Sequence, residues 1–294
     1  MTTTTNATDI QIPSMPPARR DGEDGGRADL PLRYEDVTQD GRIQLTSIMW
    51  GLGHTVWRQL LGKMPALEKF RAQGVLPILR RLVAVGEDRS VTVNLPIHYE
   101  GSFRFAHEQG GERLFANMWL DARAPVGSTL FPNPPSDASV EPLARIFAEH
   151  VVTKPFAPPG ERKVTRLEAP GLPPIPEDPY VFEPTEALIA GAPLEAAGDI
   201  VFGMMHTDSN QHVNSLVYPR VFEELVVRKL VSASHPKANV LLMRSLELRW
   251  RKPFFAGERA TVSLRFDETS AGLVAVGAFG DLAKPHCTLR LLFR

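Results

Sequence analysis

A single cysteine, Cys287, stands in a chain of 294 residues. No internal disulfide can form, nothing has the CxxC spacing of a thiolate metal site, and the scarcity favours a reducing compartment. Neither sign of charge is in excess. The formal net charge is -1, which gives no basis for a nucleic-acid-binding face or a polybasic membrane anchor. Long apolar runs are missing too: VLLM at 240–243 falls far short of the roughly 20 residues of a spanning helix, so no membrane association is expected. The stretch MTTTTNATDIQIPSMPPARRDGEDGGRADLP lacks the apolar centre of a secretory signal. No serine sits in a G-x-S-x-G elbow, which excludes the α/β-hydrolase arrangement. His98, His107 and His206 make no pair at metal-ligating spacing, so no metal is expected. These absences leave a soluble, cytoplasmic protein of ordinary globular composition, long enough for two domains.

Residues 1–32, rich in Thr, Pro, Gly and charge, read as a flexible tail. Beyond them two halves repeat one order of elements. In the C-terminal half (195–294), GDIVFGMM is a strand, and Val217, Val221, Leu225, Val226 and Leu230 then recur at helical spacing. Pro219 fits a helix only in its first turn, which puts the start near Val217. Four apolar or alternating segments follow, punctuated by Pro253, Gly257 and Gly280. In LELRW, Glu247, Arg249 and the following Arg251 fall on a polar face opposite Leu246, Leu248 and Trp250. The N-terminal half (33–135) has a helix over 45–62 with Ile48, Leu52, Val56 and Leu60 on one stripe. A short inserted helix in MPALEKFRAQG and a set of strands follow. A helix must bury its apolar stripe against something, so each half predicts an α+β unit in which an antiparallel sheet wraps a long central helix. Between the halves, residues 136–194 form a proline-dense linker in which PLARIFAEHVV (142–152) is a short helix.

The chemistry concentrates in MHTDSNQHVNSLVYPRVFEEL, residues 205–225. Asp208, Asn210 and His212 stand at alternate positions and run directly into the second helix. One reading is capping, since Asp, Ser and Asn satisfy the free N–H groups of a helix start. The other is an active site. A carboxylate, an amide and an imidazole can activate and orient water, and a helix N-terminus can stabilise an oxyanion. Asn214 adds one more amide than a cap needs. On spacing alone the two readings stand level.

DSNQHVNSLVY resembles the D-x-N-x-H-V-N-N-x-x-Y signature of the acyl-acyl-carrier-protein thioesterases, through Asp208, Asn210, Gln211, His212, Val213, Asn214 and Tyr218. The resemblance implies two tandem hot-dog domains and hydrolysis of an acyl thioester, carried by acyl carrier protein or CoA, to the free acid, with no cofactor. It also implies that Asp208 acts as base or nucleophile, with Asn210 positioning and His212 shuttling a proton. Ser215 departs from the signature's second Asn. LELRWRK at 246–252 resembles the family's LEYRREC strand, but Arg251 and Lys252 replace its Glu-Cys end.

Arg244, Arg249, Arg251 and Lys252 form the densest basic cluster of this half. The four read either as a solvated strand face or as a landing site for a phosphate or an acidic carrier. Asn214 joins Arg251 and Lys252 as a substrate contact. Trp50 and Trp57 read first as packing residues, and if the acyl tunnel lies in the first half they line its depth. His54 reads as a packed or partly exposed histidine. Two alternatives stay open: a dehydratase of β-hydroxyacyl thioesters that pairs His54 with Asp208, and a protein that binds an acyl thioester without turning it over. Paired halves in one chain need no second chain to complete a site, and a homodimer is left open.

Overall fold

The computed structural model describes residues 10–14, 25–93, 95–108, 110–127, 138–169, 172, 175–178 and 184–294. The chain divides into two compact units, the first built on Ile12–Leu82 and Gly86–Phe182, the second on Glu183–Arg294 and Val83–Val85.

The first unit is a sheet of β1 (Gly25–Pro31), β2 (Leu76–Gly86), β3 (Pro96–Glu108), β4 (Leu114–Pro125) and β5 (Val140–Thr153) in the order β1-β3-β4-β5-β2. The ladders β1/β3, β3/β4 and β4/β5 are antiparallel. A two-residue strand, β6 (Glu177–Asp178), adds to β3 in parallel. The expected helix over 45–62 is present in pieces rather than as one long rod: Leu45–Ile48, Trp50–Leu52, a wide i→i+5 segment over Gly53–Leu60, and a tight turn at Leu61–Lys63. Its cause is local. The Thr55 hydroxyl donates to the Gly51 carbonyl at 2.8 Å, an i−4 side-chain bond that bends helices. Gly51 itself lies on the sheet, where a Cβ would come within 2.3 Å of the Tyr99 ring. That close approach turns the neighbouring Trp50 outward. Trp50 is 65% exposed, so its reading as a packing residue is corrected, whereas Trp57, 37% exposed, packs edge-on against the His150 ring at 5.4 Å. The stripe Ile48, Leu52 and Val56 is buried as expected. The inserted helix is there too, at Pro65–Ala72.

Two expectations fail in this unit. PLARIFAEHVV is not a helix but most of β5, whose ladder with β4 runs from Leu114↔Val152 to Pro125↔Val140. Good helix formers there are overridden because burial on both faces of a strand outweighs a propensity of a few tenths of a kcal/mol per residue. The tail reading of residues 1–32 also ends too late. Gly25–Pro31 pairs with β3 along its length, Leu32 is buried, and the Pro13 carbonyl accepts the Trp119 indole N–H at 2.9 Å. Residues 1–9 and 15–24 of that tail, and Pro170, Pro173, Pro174 and Pro179 of the linker, lie outside the described residues.

The second unit is a five-stranded antiparallel sheet of β7 (Glu195–Val201), β8 (Met243–Trp250), β9 (Arg259–Thr269), β10 (Gly272–Phe279) and β11 (Cys287–Phe293), in the order β8-β11-β10-β9-β7. One uninterrupted helix, Val217–Ser232, packs on it, and Pro219 sits in its first turn. Tyr218 and Phe222 are fully buried with Leu225, Val226 and Leu230, while Val217 and Val221 stand at the edge. The buried stripe is thus one residue out of phase with the valines. Large aromatic rings take the centre because each removes more apolar area from water. Gly277 makes room for one of them: a Cβ there would meet the Phe222 ring at 2.3 Å.

The polar face of β8 is not solvated. Glu247 is 3% exposed and Arg249 7%. Arg249 and Arg290 donate to the two Glu247 oxygens at 2.8 and 3.1 Å. A short turn of helix, Thr185–Ile189, lies over this face, with the Thr288 hydroxyl donating to the Thr185 carbonyl at 2.7 Å. Arg244, 1% exposed, is buried as well. The solvated-face reading of this basic cluster is therefore corrected for Arg244 and Arg249. Buried charge persists here because it is paired and hydrogen-bonded.

Candidate active site

The motif forms a tight turn ahead of the long helix. Thr207 and Val213 face each other as an antiparallel bridge. Between them the Asp208 N–H donates to the His212 carbonyl at 3.2 Å, and the Gln211 N–H donates to the Asp208 carbonyl at 2.9 Å. Gln211 takes a φ of 64°, a left-handed conformation uncommon for a residue with a side chain.

Both oxygens of the Asp208 carboxylate are held. Oδ1 accepts the Asn210 backbone N–H and Oδ2 accepts Nδ2 of Asn214, each at 2.9 Å. Asn214 also closes the turn that leads into the helix, whose N-cap is Leu216: its Oδ1 accepts the Leu216 N–H at 2.9 Å and its carbonyl accepts the Val217 N–H at 3.0 Å. Asn214 therefore joins the turn before the helix to the Asp208 carboxylate. Within the first helical turn Asn214 occupies the Val217 N–H, and Pro219 has none to offer. Nδ1 of His212 lies 3.2 Å from the Val213 carbonyl. A carbonyl only accepts, so this contact places a proton on Nδ1 and leaves Nε2 as the group able to take or give one. Asp208 and His212 are half-buried and Asn210 is exposed.

The turn is fixed to the unit through Phe254. The Val213 N–H donates to the Phe254 carbonyl at 2.8 Å, and the Phe254 N–H donates to the Tyr218 hydroxyl at 3.2 Å. Burial pushes the Tyr218 phenol up from its ordinary pKa, so it stays protonated. Arg251 and Lys252 lie just past the end of β8. The Arg251 guanidinium donates to the Pro285 carbonyl at 2.9 Å and to the Lys284 carbonyl, tying down the loop that leads into β11. Lys252 is exposed. His54 belongs to the first unit, its ring 5.2 Å from that of Trp50, and burial, then Arg58, lowers its pKa. Among the described residues no group of three or more His, Cys, Asp and Glu could hold a metal ion. A cavity of about 680 Å³ in the first unit, lined by Lys69, His107, Leu114 and Ile175 among others, holds none of the expected site residues.

The first unit carries the same turn, which element order alone did not reveal. Val37 and Ile43 form its bridge. The Thr38 N–H donates to the Arg42 carbonyl at 2.9 Å, the Gly41 N–H to the Thr38 carbonyl at 2.9 Å, and the Gln44 N–H to the Asp36 carbonyl at 2.8 Å. Gly41, with φ 82°, stands where Gln211 does. Thr38, Asp40 and Arg42 thus replace Asp208, Asn210 and His212. Asp40 accepts from the Arg42 guanidinium at 2.8 Å and the Thr38 hydroxyl at 2.6 Å, and these bonds hold its pKa down to about 2. The Asp40 carboxylate is thus taken up by the ion pair within its own turn. The signal available in the sequence was the glycine of TQDGRIQL, four residues ahead of the apolar helix start at Leu45.

No protein-family model matches the chain, and no curated protein matches it by sequence. Among solved structures it is similar to an assigned oleoyl thioesterase of Lactobacillus plantarum, at 15% identity and a TM-score of 0.62, over 92% of this chain and 95% of that one. An acyl-ACP thioesterase of Bacteroides thetaiotaomicron matches at 12% identity and a TM-score of 0.58, over 92% and 98%. The 12:0-ACP thioesterase of Umbellularia californica matches at 14% and 0.57, over 92% and 94%. The chain shares the fold of these thioesterases. At such identities the likeness carries architecture, and the case for chemistry rests on the turn itself. No helix is long and apolar enough to cross a membrane.

Proposed function

We propose that the protein hydrolyses an acyl thioester to the free acid at the turn Asp208–Asn214. The observation that carries this reading is the Asp208 carboxylate, held at one oxygen by a backbone N–H and at the other by Asn214, with the amide of Asn210 and Nε2 of His212 on the same turn. A carboxylate fixed in this way keeps lone pairs for a water. Asp208 takes the proton as the water oxygen bonds to the thioester carbonyl carbon, or attacks that carbon itself, with water then releasing the acid. The oxyanion that forms draws on the exposed side-chain amide of Asn210. Collapse breaks the C–S bond, and the thiolate leaves with a proton returned by His212 or Asp208. Thioesters are already activated, so the scheme uses no cofactor.

Each unit is read as one hot-dog domain of a tandem pair, with the first turn inactivated by its Asp40–Arg42 pair. The substrate would be carried by acyl carrier protein or CoA, with Lys252 meeting its phosphate and Trp50 or Trp57 contacting the acyl chain, in a cytoplasmic enzyme of fatty-acid metabolism. Incubation with a panel of acyl-CoA and acyl-carrier thioesters, followed by mass spectrometry, tests it. Free acid should appear with the wild type and not with Asp208→Asn. Loss of water only, or an unchanged adduct across the panel, would refute hydrolysis.

A further inference from the structure

A histidine absent from the motif supports the turn. The ring of His286 stacks on that of Phe254, centroids 4.0 Å apart and planes 27° from parallel. Phe254 in turn packs against Phe202 at 5.0 Å, and Phe202 meets His206, at the head of the turn, edge-on at 5.9 Å. The His286 carbonyl accepts the Arg251 and Lys252 N–H groups at 2.8 and 3.2 Å. His286 therefore grips the 251–254 segment twice, by backbone at its start and by ring at its end. That segment supplies the carbonyl of Phe254 to which Val213 is anchored.

We propose that His286 is a positioning residue for the Asp208 turn and works only as a neutral ring. Its Nδ1 is buried with no hydrogen-bond partner among the described residues. A bare acceptor there is tolerable, whereas a proton on Nδ1 would bury an unsatisfied N–H together with a charge. Burial, then Lys252 and Arg251, oppose protonation, and Glu258 favours it more weakly, so the pKa lies below the ordinary histidine value. When acid forces the proton on, the ring leaves its stack and frees Phe254, and Val213 loses its fixed acceptor. The device switches hydrolysis off at low pH without touching Asp208.

The inference rests on the hydrolase reading for its kinetics but not for its structure, and the test keeps the two apart. His286→Phe keeps a stacking ring that cannot take a proton, and His286→Ala removes the ring. Amide exchange over residues 207–214 reads positioning whether or not the protein turns anything over. It should quicken by about tenfold or more in the Ala variant and stay near wild type in the Phe variant. In turnover, Ala should lower kcat by about 10- to 100-fold with KM little changed, the size of a misplaced reacting group. Phe should restore kcat and shift the acid limb of the kcat profile to lower pH. Unchanged exchange in the Ala variant, no rescue by Phe, or an acid limb that Phe leaves in place would each overturn the proposal. Absence of turnover in every protein would defeat the hydrolase reading alone, and the exchange result would still decide the role of His286.

Discussion

Acid should unlock the first unit through His150. This side chain lies on β5, 6% exposed, with its Nδ1 buried and unpartnered among the described residues and the Trp57 ring edge-on at 5.4 Å. Burial drives its pKa down from 6.5 to about 4, against the weaker pull of the Ala116 and Ala148 carbonyls. The folded state therefore takes up the proton later than the unfolded chain as pH falls. Stability from the neutral ring is intact above about pH 6.5, is lost progressively below it, and levels off below about pH 4. At about 1.4 kcal/mol per pH unit, that window is worth about 3 kcal/mol, a large share of a domain's stability. Carboxylates titrate over the same range, so the measurement is a difference. Urea unfolding of wild type and His150→Gln, followed by tryptophan fluorescence, should give curves whose separation in ΔG changes by about 3 kcal/mol between pH 7 and pH 4, the wild type losing more. A separation independent of pH would refute the burial argument and place His150 in contact with solvent.

Asp208→Asn should cut hydrolysis by roughly 100-fold or more; its amide oxygen still accepts the Asn210 N–H, while the NH2 that replaces Oδ2 cannot accept from Asn214, at a cost of about 1 kcal/mol. Near-normal turnover would return the motif to a purely structural role. Asn214→Ala removes the acceptor of the Leu216 N–H and the Oδ2 partner of Asp208 together, so it should cost about 1 kcal/mol by denaturant titration and lower kcat as well; a change in one measurement without the other would break the proposed double duty. Lys252→Ala should raise KM for carrier-bound substrate by an amount that shrinks in high salt, whereas Arg251→Ala should chiefly loosen the Lys284–Pro285 loop and speed its amide exchange. Removing residues 1–31 deletes β1 and should destabilise the first unit measurably, contrary to what a flexible tail predicts; unaltered thermal unfolding would show the β1/β3 ladder to be dispensable.

The sequence by itself determined what is local. Helical spacing placed Val217–Ser232, tolerance of proline in a first turn set its start, and the D-x-N-x-H-x-N run located the turn in front of it. These follow from periodicities and side-chain chemistry spanning at most a few helical turns. Tertiary structure decided whatever depends on a neighbour distant in the chain. β5 is a strand because β4 is there to pair with it, and Glu247 and Arg249 lie buried with Arg290 under the turn at Thr185–Ile189. The polar alternation of β8 could not reveal this, since a charged face looks the same in sequence whether water or a counter-charge satisfies it. The bonding inside the motif needed coordinates too, since six polar residues within seven positions could pair in several ways. Only the structure shows that Asn214 binds both the Leu216 N–H and the Asp208 carboxylate. Last, His286 lies over seventy residues beyond the motif it supports, and a ring stack has no signature along a chain.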